Sequence, residues 1–261
     1  MFQNQLLLNL SLDTRVVTSA CNRGEEGAAR LQPDLERMPI DTESKQRVTS
    51  NPLMLSMTAS VFELRQGIGM PSTVAELYEV ASAAMLKRSG DSSVELVHAL
   101  SALFCTAHVK QQRIITEEHL QEAQALVGAD VLRTLEARAL QDRMPLLSVL
   151  QVEPLQMQAA HLSFQEYFVA RAICEGAGQL KLPIELNGSN GDVHEVTLSF
   201  AAWWSNTAKL GNEMGDGFGR GLLRAAGVEG DAPGLKLRLA GDRPTSLVMV
   251  QALMVVSSSL E

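Results

Sequence analysis

Apolar residues recur at helical spacing through the first two-thirds of the chain, and the breaks between runs carry glycine, proline or capping residues. Leu53, Met54, Met57, Val61 and Leu64 form one such face. Asn51 before it is an N-cap, Pro52 suits the first helical turn, and Gly67 and Gly69 close it. Thr73 and Glu76 then make a capping box behind Pro71, opening a helix with Val74, Leu77, Tyr78, Ala81 and Met85 inward. Lys87 and Arg88 end it, where cations complement the helix dipole. A third helix is predicted from Ser93 to Val109, with Leu96, Val97, Leu100, Leu103, Phe104 and Ala107 inward. Thr116 caps a fourth that Gly128 stops, and Asp130 caps a short fifth carrying Leu132, Leu135 and Ala139. Ahead of all these, residues 19–50 read as a polar, partly helical lead-in broken by Gly24, Gly27, Pro33 and Pro39.

After Pro145 the period changes. Leu147 to Val152 is β-branched and alternating, Pro154 breaks it, and Met157 to Leu162 returns as a partner strand. Ser163 and Glu166 form a second capping box, opening a helix with Phe164, Phe168 and Ala172 on one face. Of 19 glycines, 6 lie in residues 1–175 and 13 in residues 176–241, so the last third should hold more turns and short strands. Leu180–Leu186, Val193–Leu198 and Leu235–Leu239 alternate as strands, and Thr245 to Val256 reads as a helix. Trp203 and Trp204 sit in an uncharged stretch, Thr197 to Ala208, expected to be a buried anchor. Gly215 to Gly221 has no Lys-Ser/Thr ending and reads as a turn rather than a phosphate loop.

Composition narrows the functional classes. A 46% hydrophobic fraction can fill a core. Net charge is −8 and no basic run exists, which disfavours nucleic acid and anionic membranes as partners. Arg133, Arg138, Arg143 and Arg171, around the predicted hairpin, are scattered rather than lined up for a groove. Cys21, Cys105 and Cys174 lie too far apart for a metal knot and fit a reducing, cytoplasmic compartment. No metal site, metalloprotease helix or nucleophile elbow is recognised, and no catalytic residue is assigned. His98, His108 and His194 are isolated and carry no assigned role.

Two stretches go further. Asn51-Pro52-Leu53-Met54-Leu55-Ser56-Met57, followed by Leu77-Tyr78-Glu79 and Lys87-Arg88, resembles the helical domain behind the nucleotide core of NACHT-family NTPases, the STAND signalling ATPases that include NOD-like receptors. His161-Leu162-Ser163-Phe164-Gln165-Glu166-Tyr167-Phe168-Val169-Ala170 is similar to the family's winged-helix signature. The resemblance spans roughly residues 35–175. It implies a mainly α fold, a helical bundle plus a winged-helix domain, followed by a mixed α/β C-terminal region. The corresponding divisions are 1–89, a helical lead-in and NACHT-like helical domain; 90–175, the winged-helix-like domain; and 176–261, resembling entry into a leucine-rich repeat.

By the same resemblance Pro52 lies against an adenine ring and His161 reaches the β-phosphate of ADP. Nucleotide state would then set conformation and oligomerisation. The sequence holds no G-x-x-x-x-G-K-[ST] loop, so ADP or ATP is implied as a cofactor only where a nucleotide core is supplied, and no hydrolysis is expected of this chain alone. Protein partners or self-assembly are implied in place of a membrane or nucleic acid. Two plainer readings stay open: Pro52 as a helix-start residue, and His161 as a hydrogen-bond donor to backbone. The alternative for the whole chain is a non-enzymatic protein-interaction module in which nucleotide plays no part.

Overall fold

The computed structural model describes residues 31, 33, 35, 36, 38, 40, 47–64, 70–90, 92–176, 181–187, 195–199, 201–228, 236–240 and 247–250. The expected lead-in over 19–30, Cys21, Gly67, Gly69 and His194 lie outside them. The chain divides into two compact units, Met1–Arg88 and Ser89–Glu261.

In the first unit a 3-10 turn, Val48–Ser50, leads into α1, Pro52–Leu64, which packs on α2, Val74–Arg88. Asn51 caps α1 as its chemistry requires: its Oδ1 accepts the Leu53 N–H at 2.9 Å. Met54, Leu55, Met57 and Val61 of α1 and Leu77, Tyr78 and Ala81 of α2 are buried. Leu31 and Leu35 join Leu55, Ala59 and Phe62 in one apolar cluster. Thr73 Oγ1 accepts the Glu76 N–H at 3.1 Å, but the Glu76 carboxylate takes the N–H of Ser72, one residue before the expected reciprocal position. Replacing Asn51 by alanine is expected to cost about 0.5–2 kcal/mol, read as a lower melting midpoint of this unit.

The second unit is built on α3, Val94–Val109. Ser93 caps it, and every residue from Ala99 to His108 is buried. A helix apolar on all sides belongs in a core, and α3 is wrapped by α4 (Glu117–Val127), α5 (Ala129–Leu140) and α6 (Leu162–Cys174). Strands β1 (Ile114–Thr116), β2 (Leu147–Gln151) and β3 (Gln156–Ala159) form an antiparallel sheet in the order β1-β3-β2. Ile115 pairs with Met157, which pairs with Val149, and Ile115 and Met157 are fully enclosed. β1 was not predicted: three residues are too few to show a period.

Beyond α6 come β4 (Ile184–Asn187), β5 (Glu195–Leu198), α7 (Ala201–Glu213), α8 (Asp216–Ala225), β6 (Lys236–Ala240) and β7 (Leu247–Val250). The sheet order is β4-β5-β6-β7, with β5 and β6 parallel. Parallel neighbours need a crossover, and α7 and α8 supply it. Both helices pack on α6. The described residues are thus mainly helical with two small sheets.

Four local expectations are corrected. Gly215 to Gly221 is not a turn, because residues 216–225 form α8. Leu247–Val250 pairs with β6 as a strand and is not helical; residues 251–256 of that expected helix lie outside the described residues. Asp130 does not cap α5. Gly128, at φ 93°, joins α4 to α5 in a backbone conformation that suits glycine, and Asp130 pairs with Arg133 inside the first turn. Ser163 is not the cap of α6, a role taken by His161.

Candidate functional site

Where β3 runs into α6, the segment from Gln158 to Leu162 lines a cleft of about 250 Å³ together with Arg113 and Gln165. The chain enters it extended, and His161, at φ −147°, is the last residue before helical geometry begins. A helix start leaves N–H groups without intrahelical partners. His161 satisfies one of them: its Nδ1 accepts the Ser163 N–H at 3.3 Å and lies 2.7 Å from Ser163 Oγ. Two donors converging on Nδ1 place the proton of the neutral ring on Nε2. That N–H makes no hydrogen bond to any described residue, and the imidazole is exposed.

Arg113 sits in the exposed turn between α3 and β1, with no hydrogen bond or ion pair to another described residue. The cleft therefore combines a guanidinium, an imidazole N–H and the partial positive charge of a helix N-terminus, the combination that suits an anion. Gln165 forms its inner wall and is 1% exposed; its Nε2 donates to Gln112 O at 3.1 Å. Sequence reasoning missed Arg113, since a lone arginine in a turn carries no pattern.

Pro52, the other residue expected at a nucleotide, is exposed at the first turn of α1 in the first unit. His161 lies in the second. Each has a local structural duty, Pro52 as a helix starter and His161 as a cap.

Deeper in the second unit, α3, α6 and α7 meet through polar groups. Glu166 is not a capping residue. Its carboxylate is buried and accepts the Asn206 amide at 2.6 Å. Loss of solvent raises its pKa, opposed by the Asn206 hydrogen bond and the charge of Arg113. His108 is fully enclosed between Trp203, with ring centres 5.0 Å apart, and Trp204, edge-on at 4.5 Å. Burial lowers its pKa to about 3. Trp204 is wholly buried, as its uncharged surroundings predict, whereas Trp203 is half-buried and donates its indole N–H to His108 O at 2.9 Å.

Comparison with family models, curated proteins and solved structures finds no match for this chain.

Among the described residues no group of three or more His, Cys, Asp or Glu could hold a metal ion, and no helix is long and apolar enough to cross a membrane. Cys105 is buried and Cys174 half-buried, and burial pushes both thiols up, Cys174 to about 12, so neither is a ready nucleophile. Among the described residues the arrangement offers a cleft whose lining groups suit an anion and a buried polar joint.

Proposed function

We propose that this chain is the regulatory portion of a NACHT-type STAND signalling NTPase, with α3 to α6 and the β1-β3-β2 sheet acting as its winged-helix module. A nucleotide held mainly by a separately supplied core would meet His161 at its phosphates and Pro52 at its adenine. ADP would favour the closed state, and exchange to ATP would release the module for self-assembly or a protein partner in the cytoplasm. The chain itself would turn over no nucleotide. The observation that carries this reading is the division of labour on His161: Nδ1 is engaged by the helix cap, so Nε2–H is left to donate into a cleft that also holds Arg113. The sequence motifs support it by resemblance, and the succession of helices, hairpin and closing helix supports it by order.

Calorimetric titration of the chain with ADP tests it. His161→Ser keeps a side-chain oxygen for the Ser163 N–H, and its short hydroxyl does not place a donor where Nε2–H lies. A hydrogen bond to a charged group contributes about 1.5–3 kcal/mol, so ADP affinity should fall about ten- to a hundredfold in this variant while the melting midpoint holds. No heat at millimolar ADP would favour the interaction-module reading instead. Mg²⁺-dependent ATP hydrolysis by the purified chain would contradict the assignment of a non-catalytic portion.

A further inference from the structure

The buried joint beneath α7 is independent of any nucleotide. We infer that α7 is an acid-released latch: His108, caged by Trp203, Trp204 and Thr207 and facing the Gln165 amide, holds α7 on α3 and α6 only while its imidazole is neutral.

The geometry allows one protonation state. His108 Nε2 lies 3.1 Å from Thr207 Oγ1, and Nδ1 lies 3.5 Å from Gln165 Nε2. Gln165 cannot turn its oxygen toward the ring without losing the bond from Nε2 to Gln112 O and setting two acceptors against each other. Nδ1 therefore faces a donor, and Nε2–H donates to Thr207. A second proton would put an N–H against an N–H inside a shell with no water access, enclosed by two indoles.

No nearby charge compensates. The α3 end and the following turn carry Lys110, held by Glu118 and Glu122, and Arg113. α4 carries His119, α6 carries Glu166, and α7 carries Lys209. Desolvation alone sets the His108 pKa, with no resolved contribution from any of these.

The sign follows from linkage. Undocked, His108 takes a proton near 6.5; docked, it resists until about 3. The docked-to-undocked ratio should therefore fall about tenfold per pH unit below about 6.5, until docked His108 itself titrates. Glu166 works the other way, since burial raises its carboxyl pKa in the docked state, from an ordinary value of 4.5 that lies below the 6.5 at which undocked His108 begins to gain a proton. Release would bare the α6 face that carries Glu166.

Trp203 and Trp204 are the chain's two tryptophans, so tryptophan emission, excited at wavelengths that Tyr78 and Tyr167 do not absorb, reports on this joint. On lowering the pH from 7 to 4 the emission should shift to the red while most far-UV helical signal remains. His108→Phe, which keeps a ring but cannot titrate, should flatten that transition. Thr207→Val, which strips the acceptor from Nε2–H, should move it to higher pH, and it serves where the phenylalanine variant does not fold. Emission that changes only together with loss of the helical signal would overturn the latch. So would a transition unmoved by either substitution.

Discussion

Replacing Phe168 by alanine should cost about 3–5 kcal/mol of the second unit's stability, seen as a lower denaturant midpoint at unchanged m-value. The ring is 0% exposed, in the middle of the helix on which α3, α7 and α8 pack. It meets Phe104 of α3 at 5.6 Å and 52°, and Tyr167 at 5.2 Å edge-on, so two aromatic pairs are lost along with the burial. The space cannot close easily. α6 is enclosed on consecutive residues from Ser163 to Ala170, so neighbours on every side are already in contact. Domains are typically stable by about 5–15 kcal/mol, and such a loss leaves little margin. A drop below about 1 kcal/mol would mean that α6 is not the core helix it is drawn as.

Much of this could be read from the chain, for identifiable reasons. α1 to α5 obey a 3.6-residue period, and the starts of α1 and α2 carry groups whose capping use shows in the sequence: Asn51 and Thr73 each accept a backbone N–H at the expected offset. The β2–β3 hairpin shows in its alternation and in Pro154. What failed was set by tertiary contact. At the start of α6 both Ser163 and His161 can cap, and the structure uses the histidine, which frees Glu166 to turn inward to Asn206. His108 looked like one more isolated histidine; its role depends on residues 57 to 99 positions away, which no local pattern reveals. Similarly, Gly215 to Gly221 reads as a turn because glycine usually means backbone freedom. The competing signal was Phe218 and Leu222 four residues apart, with Asp216, Arg220 and Arg224 at the same four-residue spacing on the other side: the two faces of an amphipathic helix.

The glycines within and just before α8 are therefore of two kinds, and substitution should separate them. Gly221→Ala is expected to destabilise the second unit by about 3 kcal/mol, at the upper end of overpacking costs. A Cβ there would stand 1.8 Å from the Ile173 carbonyl oxygen and 2.6 Å from its carbon, both backbone atoms of α6. Reaching ordinary contact at 3.4 Å means moving one helix away from the other by about 1.6 Å, and no side chain can rotate aside to absorb it. Intrinsic helix preference alone predicts the opposite sign, a gain of about 1 kcal/mol for alanine over glycine in a helix interior. The measured sign thus decides whether this glycine serves conformation or close approach. Gly215 supplies the control. Its φ of 81° makes alanine strained by about 1–2 kcal/mol, yet a Cβ there meets nothing within 4 Å. Thermal unfolding of the two variants should rank Gly221→Ala below Gly215→Ala. The reverse order would mean that α8 does not lie against the end of α6 as closely as its backbone requires, and that its glycines reflect the turn their sequence suggested.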